Sequence, residues 1–403
     1  MRRTRSPSLL AVIFDTFAYY LLFLLPAAVG FRLVRPTAKP RVCILFGAGF
    51  FIYFSLTQLG GVAGAFCLLI FLWESLFSRL YKPGSRWCIA GILQAVAILF
   101  VFKYWNFFAG IIFHISPAHA VFWHGVFLPI GISFFTFEFI HYAADRYKGT
   151  AAAGTFTEYL TFILFFPTMV AGPIKRYQDF QPKLLHPSTD WPLDWQRGVT
   201  RILAGLVKKF AIADFVSSMT ANLNHDAIAQ ADRRILPLWI LAYGIKIYID
   251  FSAYSDIAIG SARLFGIRVP ENFDWPYLRT NIAEFWGHWH MSLYRWLIDY
   301  IFIPLGGSRV AAPRVYFNVL ITMLISGLWH GAGFNFLAWG LWHGLLLAGH
   351  RLWRILFPPS ETPTRLALGA SWALTFVLVN LGWAFFCMDL PTSLFFFRRL
   401  LFG

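Results

Sequence analysis

Hydrophobic residues in this chain run in long blocks rather than alternating with polar ones. Four stretches contain no Asp, Glu, Lys or Arg: Val42–Trp73, Tyr104–Phe137, Val315–His350 and Leu366–Met388. A helix needs roughly 20 apolar residues to cross a bilayer, so the first three stretches could each hold a hairpin, or a crossing and a re-entrant piece. The pattern predicts apolar helical segments at 9–30, 42–58, 61–78, 88–113, 121–142, 156–173, 198–220, 235–260, 282–304, 315–334 and 336–357, with a further one at 366–388. The expected fold is an all-α polytopic membrane protein of about eleven membrane helices with re-entrant segments, forming a single membrane domain over 1–403.

One region breaks the pattern. Asn272–Gly307 and its flanks carry Glu271, Asp274, Arg279, Glu284, His288, His290, Arg295, Asp299 and Arg309 among many aromatic residues. It is too polar to face lipid and too apolar for a solvated loop. Polar side chains persist at membrane depth when protein shields them or they line a wet cavity. A buried, partly re-entrant helix is predicted here. Lys175–Arg201, which contains Pro182, Pro187 and Pro192, reads as the longest aqueous stretch.

Composition reinforces the membrane reading: 58% of residues are hydrophobic and 13% charged, against about 25% charged in ordinary soluble domains. The net charge of +15 could suggest nucleic acid, but the basic residues fall in short clusters between apolar runs. Arg32, Arg35, Lys39 and Arg41 follow the first segment, and Arg79, Lys82 and Arg86 follow the hairpin at 42–77. That is a positive-inside distribution, which puts the N-terminus outside. No cleavable signal peptide is evident, and 9–30 reads as a first crossing. Cys43, Cys67, Cys88 and Cys387 lie in or beside apolar runs without Cys-x-x-Cys spacing, and read as packed thiols.

His330 is the leading chemical candidate. It lies in the charge-free Val315–His350 stretch, in the segment Gly327-Leu-Trp-His-Gly331, with Trp329 before it and Gly333 beyond. Clustered glycines suit a helix break, and a neutral imidazole can take and return a proton near neutrality. A core histidine bonded to a carbonyl is the plain alternative. In Glu284-Phe-Trp-Gly-His288-Trp-His290, helical spacing puts Glu284 with His288, and Trp286 with His290. Arg295 and Asp299 are spaced to pair. A zinc site on His288 and His290 would need His330 or His343 as a third ligand. His343, in Trp339-Gly-Leu-Trp-His343-Gly, is a weaker candidate base. His114, His119, His124 and His141 read as interfacial packing. Asp250, Tyr254 and Asp256 put two carboxylates in an apolar helix, and Lys246 is spaced to pair with Asp250. No P-loop, dinucleotide fingerprint or Gly-x-Ser-x-Gly elbow occurs, which favours direct transfer over a covalent serine intermediate. Pro304-Leu-Gly-Gly-Ser-Arg309 reads as a tight turn carrying a cation.

These residues resemble the membrane-bound O-acyltransferase family, in its bacterial polysaccharide-modifying branch. The matching stretches include Leu128-Pro-Ile-Gly-Ile-Ser-Phe-Phe-Thr-Phe137, Met169-Val-Ala-Gly-Pro-Ile-Lys-Arg-Tyr177, Asp250-Phe-Ser-Ala-Tyr-Ser-Asp256, Phe285-Trp-Gly-His-Trp-His290 and Ser326-Gly-Leu-Trp-His-Gly331. The resemblance implies a ring of helices around a central tunnel in a bacterial cytoplasmic membrane. His330 would be the catalytic histidine and His290 a second, tunnel-lining one. His288, Trp286, Trp329, Asn335, Asp250, Tyr254, Asp256, Arg295 and His343 become candidates for lining the tunnel. The implied donor is a cytoplasmic acyl thioester, acetyl-CoA or an acyl carrier, used as substrate with no bound cofactor or metal. The implied partner is a periplasmic acyltransferase resembling SGNH hydrolases, which passes the acyl group to a polysaccharide hydroxyl. D-alanyl transfer toward teichoic acids is the near alternative, and a glycan-precursor transporter is the alternative from another class. The family commonly has Arg where this chain has His288.

Overall fold

The computed structural model describes residues 14, 16–59, 61–113, 129, 131–170, 172–358 and 362–403. Among them every named element is a helix, and the β-type pairing is one isolated antiparallel bridge between Phe273 and Trp289. The hydrophobic blocks are where the helices fall: 42–58 becomes Lys39–Leu59, 61–78 becomes Gly61–Phe77, and 366–388 becomes Arg365–Cys387. Among the described residues, five helices are long and apolar enough to cross a membrane: Pro36–Thr57, Arg86–Ile112, Arg233–Leu264, Ala312–His330 and Arg365–Cys387. Most of the 121–142 segment before residue 131, the start of 9–30, and His114, His119 and His124 lie outside the described residues.

Packing groups the chain into two compact units, Met1–Leu206 with Tyr254–Pro270, and Val207–Ala253 with Glu271–Gly403. The first unit is built on aromatic contacts. Phe50 meets Phe54 and Phe166 at ring-centroid distances of 4.8 and 5.3 Å, and Tyr142 meets Tyr159 and Tyr177 at 4.4 and 4.7 Å. Its helix ends follow local rules, as where Thr155 and Glu158 form a reciprocal capping box.

Several ion pairs lie among the described residues of this unit. Asp194 is fully buried, 2.8 Å from Arg32 and 2.7 Å from Arg263. The Arg263 contact is close enough for Coulombic pairing, although its N–H does not point along a hydrogen bond. Arg201 donates to Asp256 at 2.6 Å. Lys175 donates to Glu138 at 2.5 Å, with both side chains buried and the ammonium 4.5 Å from the centre of the Phe162 ring. The start of the expected aqueous stretch Lys175–Arg201 is therefore inside the protein, because an ion pair and an aromatic face replace water around the ammonium. His141 likewise departs from interfacial packing. It is fully buried, its Nδ1 lies 3.1 Å from the Phe137 carbonyl, and its Nε2 accepts from the Tyr177 amide at 3.1 Å.

The second unit holds the chemically unusual region. The segment 272–307 is not one helix but a chain of short pieces: Pro276–Leu278, Ile282–His288, Met291–Leu297 and a π-helical turn at Ile298–Phe302. Asn281 caps the second piece by accepting the Glu284 amide at 2.9 Å. The Pro304–Arg309 turn is tight as expected, with Gly306 and Gly307 at φ +107° and +57°. Asn318 pins it by donating to the Gly307 carbonyl at 3.1 Å.

Candidate functional site

The site forms where the Ala312–His330 helix turns back into the Phe334–Leu356 helix. Backbone contact between the two arms dictates glycine at Gly327. A Cβ there would stand 2.2 Å from the Phe336 carbonyl oxygen and 3.2 Å from the Cα of Gly340. At Gly331 a Cβ would fall 2.0 Å from the Phe336 ring, so that ring closes over the bend. His330 is the last residue of the first arm, and the chain is extended at Gly331 and Gly333. The helix break expected from the glycines is present, with His330 at its edge.

Aromatic rings surround His330. Its centroid lies 4.8 Å from Trp329, 5.0 Å from Trp339 and 5.0 Å from Phe386, each approached edge to face. Trp329 also faces His290 at 6.1 Å, so one indole stands between the two histidines. His330 is half-buried and His290 is 1% exposed.

His290 is held in an unusual way. Its φ of +43° is left-handed, a conformation that costs a non-glycine residue roughly 1–2 kcal/mol. Neighbouring bonds enforce it: Met291 donates its amide to the Asn272 carbonyl at 2.9 Å, and Asp274 donates to the His288 carbonyl at 3.1 Å. Ser292 adds a 2.6 Å hydroxyl bond to the buried Asn272 side chain. Strain fixed from both sides in this way collects at functional positions. Phe251 packs edge to face on the imidazole at 4.7 Å. Neither ring nitrogen has a hydrogen-bond partner among the described residues, although a neutral imidazole offers one donor and one acceptor. The ring thus keeps hydrogen-bonding capacity that no described residue takes up.

The other candidates divide. Trp286 lies 5.6 Å from Trp339 and 5.1 Å from His343, and His343 lies 4.9 Å from Trp339, so these three extend the aromatic cluster away from His330. Trp286 and His290 do not share a helix face, because the helix ends at His288 and His290 begins a new element. Asn335 donates to the Phe385 carbonyl at 3.1 Å and ties the bend to the Arg365–Cys387 helix. His288 has its Nδ1 2.7 Å from the Glu284 carbonyl, while its Nε2 is 3.6 Å from Asp274, which Arg279 meets at 2.7 Å. The guanidinium beside this acidic group therefore comes from Arg279, nine positions before His288.

Asp250 pairs with Lys209 at 2.9 Å rather than with Lys246, which donates to Thr220 at 3.4 Å. Lys209 also binds Asp214 at 3.0 Å, so one ammonium serves two carboxylates. Arg295 is exposed and does not pair with Asp299, because the π-helical turn at Ile298–Phe302 widens the winding and disrupts i,i+4 stacking. Tyr254 and Asp256 belong to the first unit, where Asp256 is held by Arg201. Among the described residues no group of three or more His, Cys, Asp or Glu is placed to hold a metal ion. Phe251, Trp383 and Phe386 complete the cluster without having been anticipated. Nothing in the apolar run 366–388 marks Trp383 or Phe386 over its neighbours, and nothing singles out Phe251 between the carboxylates of the Asp250–Asp256 stretch.

A helical membrane architecture, a broken-helix segment and a glycine-bent hairpin ending on histidine define the class. The chain matches the membrane-bound O-acyltransferase (MBOAT) family over residues 66–388 and belongs to it. It is 38% identical over 312 residues to a probable alginate O-acetylase, AlgI, of Pseudomonas aeruginosa, covering 76% of this chain and 58% of the relative. A peptidoglycan O-acetyltransferase of Helicobacter pylori is 31% identical over 411 residues, covering 93% of this chain and 77% of the relative. A teichoic acid D-alanyltransferase of Streptococcus thermophilus is 34% identical over 236 residues, covering 56% of this chain and 57% of the relative. The chain spans about three fifths of the length of the alginate relatives it matches.

Proposed function

We propose that this membrane protein transfers an acyl group, acetyl in the first instance, from a cytoplasmic thioester toward a polysaccharide hydroxyl. His330 acts as the base. The observation that carries the reading is the position of His330: a half-buried imidazole at the broken end of a helix, walled by Trp329, Trp339 and Phe386. The acceptor hydroxyl gives its proton to His330 as its oxygen attacks the thioester carbonyl. The tetrahedral oxyanion collapses, the carbon–sulfur bond breaks, and the departing thiolate takes the proton back from the imidazolium. His290, whose ring nitrogens have no hydrogen-bond partner among the described residues, donates to the carbonyl oxygen as negative charge develops there. The aromatic wall keeps out water, which would otherwise hydrolyse the thioester.

The similarity to a probable alginate O-acetylase and to a peptidoglycan O-acetyltransferase supports acetyl as cargo. D-alanyl transfer is the nearest other cargo. A bacterial inner-membrane setting with several crossings, and a periplasmic hydrolase-like partner that carries the acyl group onward, complete the proposal. Reconstituted protein given acetyl-CoA labelled in the acetyl group, or a D-alanyl carrier, tests it. Loss of label from acetyl-CoA in the presence of acceptor supports acetyl transfer, and loss only from the carrier moves the cargo to D-alanine. Translocation of a glycan precursor with the acyl donor intact would overturn the enzyme reading.

A further inference from the structure

Beside the histidine cluster, within the second unit, lies a cavity of about 740 Å³, a size suited to a small-molecule ligand. Its lining is divided in character. Trp286, Val319, Met323 and Leu347 form an apolar stretch, and His350, Arg351 and Arg354 bring cations from the end of the Phe334–Leu356 helix. Among the described residues no carboxylate pairs with Arg351 or Arg354. Glu284 lines the same cavity, but its carboxylate accepts from Thr280 at 3.2 Å.

The helix end that carries these arginines is exposed in a particular manner. Trp353 is 60% exposed, and Ile355, Leu356 and Phe357 are 58%, 61% and 54% exposed. Tryptophan, arginine and bare aliphatic side chains on one short stretch are the composition of a membrane–water interface. There arginine reaches headgroup oxygens while its stem stays in the apolar layer. This composition suits Arg351 and Arg354 to headgroup depth, and the same cavity carries the apolar side chains of Val319, Met323 and Trp286.

The geometry points to this cavity as a binding site for an anionic phospholipid, its phosphate held by Arg351 and Arg354 and one acyl chain laid along Val319 and Met323 toward Trp286. Basic pockets between apolar helices select such headgroups over zwitterionic ones, and a guanidinium pair can grip phosphate through directed N–H donors. A nucleotide-bearing thioester fits less well. It presents several phosphates and a polar base, whereas this lining is largely apolar and includes the Glu284 carboxylate. The inference is independent of the acyl-transfer chemistry.

Native mass spectrometry of the purified full chain, loaded with phosphatidylglycerol or phosphatidylcholine, tests the site. We expect phosphatidylglycerol to be retained after phosphatidylcholine has dissociated. Retention should fall at least several-fold in the double variant R351A/R354A. Val319→Trp, which fills the apolar stretch and leaves the charges alone, should cause the same loss, with unfolding temperatures near wild type. Equal retention of the two lipids, or undiminished retention in both variants, would overturn the proposal. Displacement of the lipid by free coenzyme A or inorganic phosphate would assign the cavity to a soluble phosphate ligand and also overturn it.

Discussion

The imidazole of His330 and the indole of Trp339 meet edge to face at 5.0 Å, although they come from opposite arms of one hairpin. The contact depends on how closely the arms approach, and that approach depends on Gly327 and Gly340. The placement of the His330 ring is therefore set by backbone packing one turn before the histidine.

Gly327→Ala follows directly from this. The added methyl would stand 2.2 Å from the Phe336 carbonyl oxygen, which belongs to backbone and cannot swing away. Overpacking of this kind costs about 1–3 kcal/mol, and the arms must part. We expect a lower unfolding temperature together with reduced acyl transfer. Gly349→Ala, in the same second arm with open space around its Cβ, should be neutral or slightly stabilising, since alanine favours a helix by about 0.5–1 kcal/mol over glycine. Equal behaviour of the two variants in thermal unfolding would refute the close-approach argument.

His290 combines a ring to which the proposed reaction gives the oxyanion with a left-handed backbone conformation that the fold must enforce. Glycine at 290 relieves the left-handed strain and removes the ring. His290→Gly should unfold no earlier than His290→Ala, which loses the same packing against Phe251 and keeps the strain, while transfer falls by about 10²-fold or more in both. Retained transfer would show that the ring is packing alone.

Asp194 gives a pH signature outside the site. Burial alone would raise its carboxyl, but hydrogen bonds from Arg32 and Ser188 and the charges of Arg263 and Arg32 outweigh it and hold the group below the ordinary carboxylate range. A depressed folded pKa means that the ion contributes stability above the unfolded value near ~3.9. That contribution is lost as pH falls through the folded value. Unfolding temperature should therefore drop on acidification below about pH 4 in wild type, and less steeply in Asp194→Asn. The variant should also be about 3 kcal/mol less stable at neutral pH, because Arg32 is left buried without its counter-ion. Parallel pH profiles for the two proteins would contradict this.

Much of this was legible along the chain, and what escaped has a physical reason. The hairpin bend could be read because Gly327, Gly331 and Gly333 interrupt a charge-free run, and glycine there records contact between backbones. The helical blocks could be read because lipid and a packed interior both demand continuous apolar sequence. The partner of Asp250 could not: Lys209 is 41 positions away, and local helical spacing offered Lys246 instead. The left-handed turn at His290 was hidden as well. It is imposed by Asn272, from a segment whose sequence gives no sign of pairing. Phe386 lies in a stretch where every residue is apolar, so its place beside His330 is a product of tertiary packing.

The central claim is that His330 carries the proton in acyl transfer. The most direct measurement is incorporation of labelled acetyl into cell-surface polysaccharide, in cells producing wild type or His330→Ala at equal membrane abundance and equal unfolding temperature. The account predicts a fall of at least about 10²-fold, the usual contribution of a positioned general base. Acetylation by His330→Ala at the wild-type rate would contradict it.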